Sequence, residues 1–314
     1  MASAGEIRHA ADLIRKGRLV AFPTETVYGL GANALDPVAV RRIFQAKGRP
    51  ASSPLIVHVS TMQMARTVAA EWPVSALTLA SNFWPGPLTL ILPKTTAVPS
   101  EVTAGLPSVG VRIPRHPVAL ALIEAAEVPI AAPSANPFSR VSPTAAEHVQ
   151  LGLGDRVDYV LQGGSSEVGI ESTVVSLTGP PTLLRPGAIS AAEIESLIGP
   201  LETASTADVP AHASPGLHKR HYQPRTPLLI SDAAPAGRGV RIWWDRPGKT
   251  ENGVQLPADA AGYAAALYRA LHELDSGEWD FIQVEPVPQT PEWAAVRDRL
   301  MRAAGSGEAE DRVI

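Results

Sequence analysis

Apolar positions along the chain follow two spacings, and the spacing changes at proline, glycine or a small polar cluster. Residues 6–16 place Ile7, Ala10, Ala11 and Ile14 at helical intervals, with Gly17 as a C-cap. Residues 19–22 form a short continuous apolar run, which reads as a buried strand ended by Pro23. Asp36-Pro37 supplies an N-cap and a first-turn proline for a helix reaching about Ala46. Further strands are expected at 55–59, 88–92, 108–114, 128–131 and 174–177. Helices are expected at 73–83 and 117–126, after a cap at Ser142-Pro143, and in a segment closing over 195–201. Strands at 227–231, 240–244 and 281–284 then alternate with helices at 258–274 and 292–303. A chain of 314 residues exceeds the usual single core. The pattern divides it into a domain at 1–200, a proline-rich linker at 201–226 and a small α/β domain at 227–314.

Candidate chemistry gathers where strands end. Thr24, Glu25, Thr26 and Tyr28 follow the first strand, beyond the C-terminal edge where open α/β sheets place ligands. Gly29 and Gly31 are expected to turn the backbone tightly there and let a ligand approach. Lys47, Arg49, Ser52 and Ser53 occupy a helix-to-strand connection. Two cations with two hydroxyls suit phosphate, and cations at a helix C-terminus also suit the helix dipole. Arg112 sits within an apolar strand, where a buried guanidinium requires an anionic partner. A ligand carboxylate and a structural Glu or Asp are both solutions. Ser134, Asn136 and Ser142 supply compact donors and acceptors after another strand, for a nucleotide or for turn chemistry. Linker residues 214–224 carry Gly216, the run His218-Lys219-Arg220-His221 and Tyr222, which suits a lid over the site rather than a bare tether.

Composition narrows the class. There is no cysteine, which excludes disulfides, thiol nucleophiles and cysteine-ligated metal sites. Residues 1–200 carry 15 basic and 15 acidic side chains, and the remainder carry 12 and 16. A neutral first domain with local basic clusters fits a small anionic ligand better than an extended nucleic-acid surface. No apolar run reaches membrane-spanning length, so a cytoplasmic enzyme is expected.

Taken together, the blocks resemble the YrdC-like threonylcarbamoyl-adenylate synthases in their longer, two-domain form. The resemblance rests on PTETVYGLGANA at 23–34, KGRPASSPLIVHV at 47–59, FWPGPLTLIL at 83–92 and SVGVRIP at 108–114. It continues through APSAN at 132–136, ESTVV at 171–175, LRPGAI at 184–189 and SPGLHKRHYQP at 214–224. It implies a YrdC-like twisted mixed sheet with helices and a central concave pocket, plus a small Rossmann-like α/β domain. It also implies an enzyme that makes threonylcarbamoyl-AMP and pyrophosphate from L-threonine, bicarbonate and ATP with Mg²⁺. That product would supply the machinery that modifies tRNA beside the anticodon. By motif, Thr26, His58, Arg112, Ala132 and Ser172 would hold threonine. Arg49, Ser53, Ser108, Ser134, Ser142, Arg185 and Tyr222 would hold ATP. Lys47, Arg49, Ser134 and Asn136 stand for the family's K-x-R and S-x-N catalytic signature. An RNA-binding module without adenylylation is the alternative, against which stand the neutral charge and the lack of an aromatic stacking platform.

Overall fold

The computed structural model of the chain describes residues 2–203, 221–233, 236–245, 252–275, 277 and 279–305. Two compact units result: Met1–Phe138 with Pro143–Leu217, and Ser139–Ser142 with His218–Ile314.

In the first unit, helix α1 (Ala4–Arg15) leads into strands β1 (Val20–Phe22) and β2 (Gly29–Asn33), then α2 (Pro37–Lys47) and β3 (Ile56–His58). Helices α3 (Met62–Val68) and α4 (Val74–Phe83), strand β4 (Leu88–Pro93), helix α5 (Ser100–Thr103) and strand β5 (Ser108–Arg112) follow. Next come α6 (Pro117–Ala126), β6 (Ile130–Ala131), α7 (Ala146–Leu153), β7 (Tyr159–Val160), β8 (Thr173–Ser176), β9 (Thr182–Arg185), α8 (Ala191–Ile198) and β10 (Glu202–Thr203). The strands form one mixed sheet in the order β10-β9-β8-β4-β5-β3-β6-β2-β1-β7. The two-residue alternation of a strand sends Leu19 and Ala21 to one core and Val20 and Phe22 to another. Helices α1 and α6 close the second core with Ile14, Leu122 and Ile123.

The structure corrects the expectation for Gly29 and Gly31. Neither is at a turn: both lie in β2, antiparallel to β1, and neither has a positive φ. Their role is thinness. A Cβ on Gly31 would lie 2.8 Å from the Phe22 ring and 2.9 Å from an Ile130 methyl. Only a strand without side chains on that face admits the Phe22 ring.

Other boundaries moved for local reasons. Helix α7 starts at Ala146 with Ala145 as N-cap, so Ser142 does not cap it. Helix α8 stops at Ile198 because Gly199 and Pro200 cannot continue it. A single 3₁₀ turn at Pro291–Trp293 precedes the last helix.

In the second unit, β11 (Leu228–Ile230), β12 (Gly239–Trp243), β13 (Gly253–Gln255) and β14 (Phe281–Val284) pair in parallel, in the order β11-β14-β12-β13. Helices α9 (Ala260–Leu274) and α10 (Ala294–Ala304) complete this Rossmann-like layer. Gly216, His218, Lys219 and Arg220, expected in a lid, lie outside the described residues.

Gly31→Ala should lower stability by about 1–3 kcal/mol through overpacking. Phe22→Leu added to it should recover part of the loss, because it removes the ring the new methyl strikes. Thermal melts of the three variants check this, and an unchanged melting temperature for Gly31→Ala would contradict it.

Candidate functional site

The loop between β1 and β2 is tied by one hydroxyl. Thr24 Oγ1 accepts from the backbone N–H of Thr26 and of Val27, both at 3.2 Å, and donates to the Val27 carbonyl at 2.6 Å. This side-chain-to-backbone turn fixes Glu25 and Thr26. Tyr28 anchors the far end by donating to the Gly164 carbonyl at 2.8 Å, and burial pushes its phenol up to about 12.

Those residues meet Arg112 at the C-terminal end of β5, in register with His58 at the end of β3. The Arg112 guanidinium donates through Nε to the Gly86 carbonyl at 3.1 Å and through Nη1 to Thr26 Oγ1 at 2.9 Å. Its Nη2 lies 2.7 Å from Glu25 Oε1, in an ion pair buried on both sides. Of the two partners the sequence left open for Arg112, a structural carboxylate is therefore present. Burial pushes the Glu25 carboxyl up, but the charge and contact of Arg112 outweigh it, and the net shift is downward. Burial first, then Arg112, drives His58 down to about 3, so the ring is neutral at ordinary pH. Its Nδ1 is buried without a hydrogen-bond partner.

Lys47 ends α2, which stops at Gly48 in the left-handed conformation. Its ammonium reaches the loop after β6 and donates to the carbonyls of Ser134 at 2.6 Å and Asn136 at 2.5 Å. The S-x-N segment thus holds the lysine through its main chain. Burial lowers the Lys47 pKa well below its ordinary value, and Arg49 and Arg156 add to this, opposed by Glu171. Arg49 donates to the carbonyls of Ser53 at 3.4 Å and Pro54 at 3.1 Å, and stacks 5.9 Å from the Phe138 ring centroid.

Arg185 is buried and donates to the Ser172 carbonyl at 3.0 Å and Ser172 Oγ at 3.1 Å. Thr89 Oγ1 lies 2.8 Å from the same Ser172 hydroxyl. Ala132 donates its N–H to the Ile56 carbonyl at 2.9 Å, beside β3. Ser108 opens β5 and Arg112 closes it, about 13 Å apart at the usual strand rise. A crevice at the Ser108 end is lined by Pro54, Leu55, Thr103 and Gly110.

The first unit therefore buries four cations, Lys47 at the end of α2, Arg49 in the connection to β3, Arg112 at the end of β5 and Arg185 at the end of β9. Ser142 and Tyr222 belong to the second unit. There the Ser142 carbonyl lies 3.1 Å from His272 Nε2, and the buried Tyr222 ring packs 5.7 Å from Tyr268 with Arg299 5.4 Å away. Sequence reasoning noticed the Glu25 carboxylate but left it out of the site. The missing signal was its partner, which lies far away along the chain at Arg112.

His58 gives a pH prediction. Its folded pKa of about 3 lies below the ordinary 6.5, so from 6.5 downward the unfolded chain binds a proton that the folded chain refuses. Its stability contribution is complete above 6.5 and falls as pH drops toward 3, by up to about 1.4 kcal/mol per pH unit. Urea denaturation at pH 7, 6 and 5 should show a shallower loss in His58→Gln than in the wild type. Equal slopes would contradict the neutral buried ring.

The family described as "Telomere recombination" (Sua5_yciO_yrdC) matches residues 12–187, and "Threonylcarbamoyl-AMP synthase, C-terminal domain" matches 189–305. A threonylcarbamoyl-AMP synthase of Pyrococcus abyssi is 42% identical over 320 residues, which cover 96% of this chain and 94% of that protein. The Bacillus subtilis protein of the same name is 42% identical over 322 residues, covering 96% and 93%. The crystal structure of P. abyssi Sua5 complexed with L-threonine matches with a TM-score of 0.91 and 41% identity, covering 96% of this chain and 95% of that one. The resemblance read from the motif blocks holds, and the chain belongs to the Sua5/YciO/YrdC family in the form that also carries the threonylcarbamoyl-AMP synthase C-terminal domain.

Proposed function

We propose that the chain is an L-threonylcarbamoyladenylate synthase, a nucleotidyltransferase acting on L-threonine, bicarbonate and ATP. The carrying observation is the set of buried cations Lys47, Arg49, Arg112 and Arg185, in a family whose close relatives bear that enzyme's name. The P. abyssi relative was crystallised with L-threonine, which favours an amino-acid pocket here.

The chemistry suits these residues. Threonine's ammonium and bicarbonate combine to a carbamate, releasing water and a proton. A carbamate oxygen then attacks the α-phosphorus of ATP; the new O–P bond forms as the α–β bridge breaks and pyrophosphate leaves. No enzyme nucleophile is required, so the protein's work is positioning and electrostatic stabilisation. Thr26, His58, Arg112, Ala132 and Ser172 are assigned to threonine. Neutral His58 serves there as a hydrogen-bond partner rather than as an acid. Arg49, Ser53, Ser108, Ser134, Ser142, Arg185 and Tyr222 are assigned to the nucleotide, with Lys47 and Asn136 beside the phosphates. Arg112 and Ser108 stand at opposite ends of β5, which supports assigning them to different halves of the product.

Mg²⁺ would arrive on the triphosphate. The phosphates and water would hold it, since Mg²⁺ sheds its water reluctantly and binds triphosphate oxygens. Downstream, the mixed anhydride would be consumed by a transferase that acylates a tRNA adenosine. No helix among the described residues is long and apolar enough to cross a membrane.

Pyrophosphate release should require threonine and bicarbonate together, and omission of either should abolish it. Serine, lacking the methyl, should be a poorer substrate by about 1–3 kcal/mol in kcat/KM. Equal release without an amino acid would overturn this function, and salt-dependent RNA binding without turnover would favour the RNA-binding module.

A further inference from the structure

Glu25 has no role among the residues assigned above. Its carboxylate oxygens and Arg112 Nη2 are sealed from solvent, and Oε1 lies 2.7 Å from that nitrogen. A ligand therefore cannot touch Glu25, and anything it does to a ligand passes through Arg112. A buried ion pair is weak evidence for stability, since an apolar pair of similar volume often serves as well. Its place at the ligand end of β5 calls for another account.

Arg112 presents five N–H bonds in a rigid plane. Gly86, Thr26 and Glu25 engage Nε, Nη1 and Nη2 in turn, from three separate segments. Those contacts fix the plane of the guanidinium, and with Nη2 sealed from solvent they leave one N–H of Nη1 outside them. Without Glu25, the guanidinium would be a bare buried charge attracting any small monoanion at long range. The proposed reaction brings such a competitor: bicarbonate must enter beside an amino acid that is itself a neutral zwitterion. A charge cancelled at 2.7 Å attracts little at a distance, but its remaining donor still binds a carboxylate that fits it.

We propose that Glu25 is a positioning residue that orients Arg112 and cancels its long-range charge, so that the site selects the amino acid's carboxylate over bicarbonate. This rests on the threonine-site reading above.

The test compares wild type, Glu25→Gln and Glu25→Asp in pyrophosphate release, with fold checked by thermal melts. In Glu25→Gln, KM for threonine should rise about tenfold or more while KM for ATP stays within about twofold. Bicarbonate at high concentration should become a competitive inhibitor against threonine in this variant and not in the wild type. Glu25→Asp keeps the charge but withdraws the carboxylate by one methylene, so KM for threonine should rise without bicarbonate inhibition. Parallel shifts in both KM values, unchanged kinetics, or failure of both variants to fold would overturn the proposal in favour of a purely structural pair. A wild type indifferent to threonine would instead overturn the functional reading on which it rests.

Discussion

The first unit depends on desolvating cations without abandoning them. Lys47 donates to the main-chain carbonyls of Ser134 and Asn136, Arg49 to those of Ser53 and Pro54, Arg185 to that of Ser172, and Arg112 to that of Gly86. Each bond ties a cation to a loop next to a strand, so the same contacts fix loop shape and hold the charge. A carbonyl carries only a partial charge, and it satisfies a buried donor without neutralising it. Burial consequently still lowers the Lys47 pKa, and a phosphate brought alongside would favour the protonated form again. Binding of an anion and stability of the unit are coupled in this way.

Arg112 follows a different rule, and the difference divides the pocket. Its buried carboxylate partner offsets the charge locally, which suits the zwitterion proposed to bind there. The Lys47 ammonium is held by two carbonyls, which keep its charge available to the polyanion proposed to bind there. His58 lies between Arg112 and a hydrophobic wall that includes the Phe22 ring, 6.1 Å away edge-on. Its neutrality follows from that setting, as does its unsuitability as a proton donor.

Much of this was legible in the sequence where a local rule acts alone. The helix at Pro117–Ala126 and the strand at Phe281–Val284 fall where apolar spacing and breakers put them. The cap Asp36 accepts from Val38 N–H as its type predicts. The failures are equally physical. Glycine serves a turn and a thinned strand with the same local signature, and only the distant Phe22 and Ile130 side chains decide between them at Gly31. The carbonyls of Ser134 and Asn136 hold Lys47, a main-chain role that carries no side-chain signature in the sequence. The pairing of Glu25 with Arg112 joins residues far apart in the chain, beyond the reach of any local pattern.

On the proposed function, threonine held at Arg112 and phosphate held at Lys47 would belong to one aligned pocket, matched to both halves of a mixed anhydride. Calorimetric titration with a non-hydrolysable analogue of threonylcarbamoyl-AMP measures this directly, with AMP and L-threonine titrated separately for comparison. Joining two ligands whose sites are already aligned removes one association penalty. The analogue should bind at least about a hundredfold more tightly than AMP. An analogue no tighter than AMP alone would contradict a single aligned pocket.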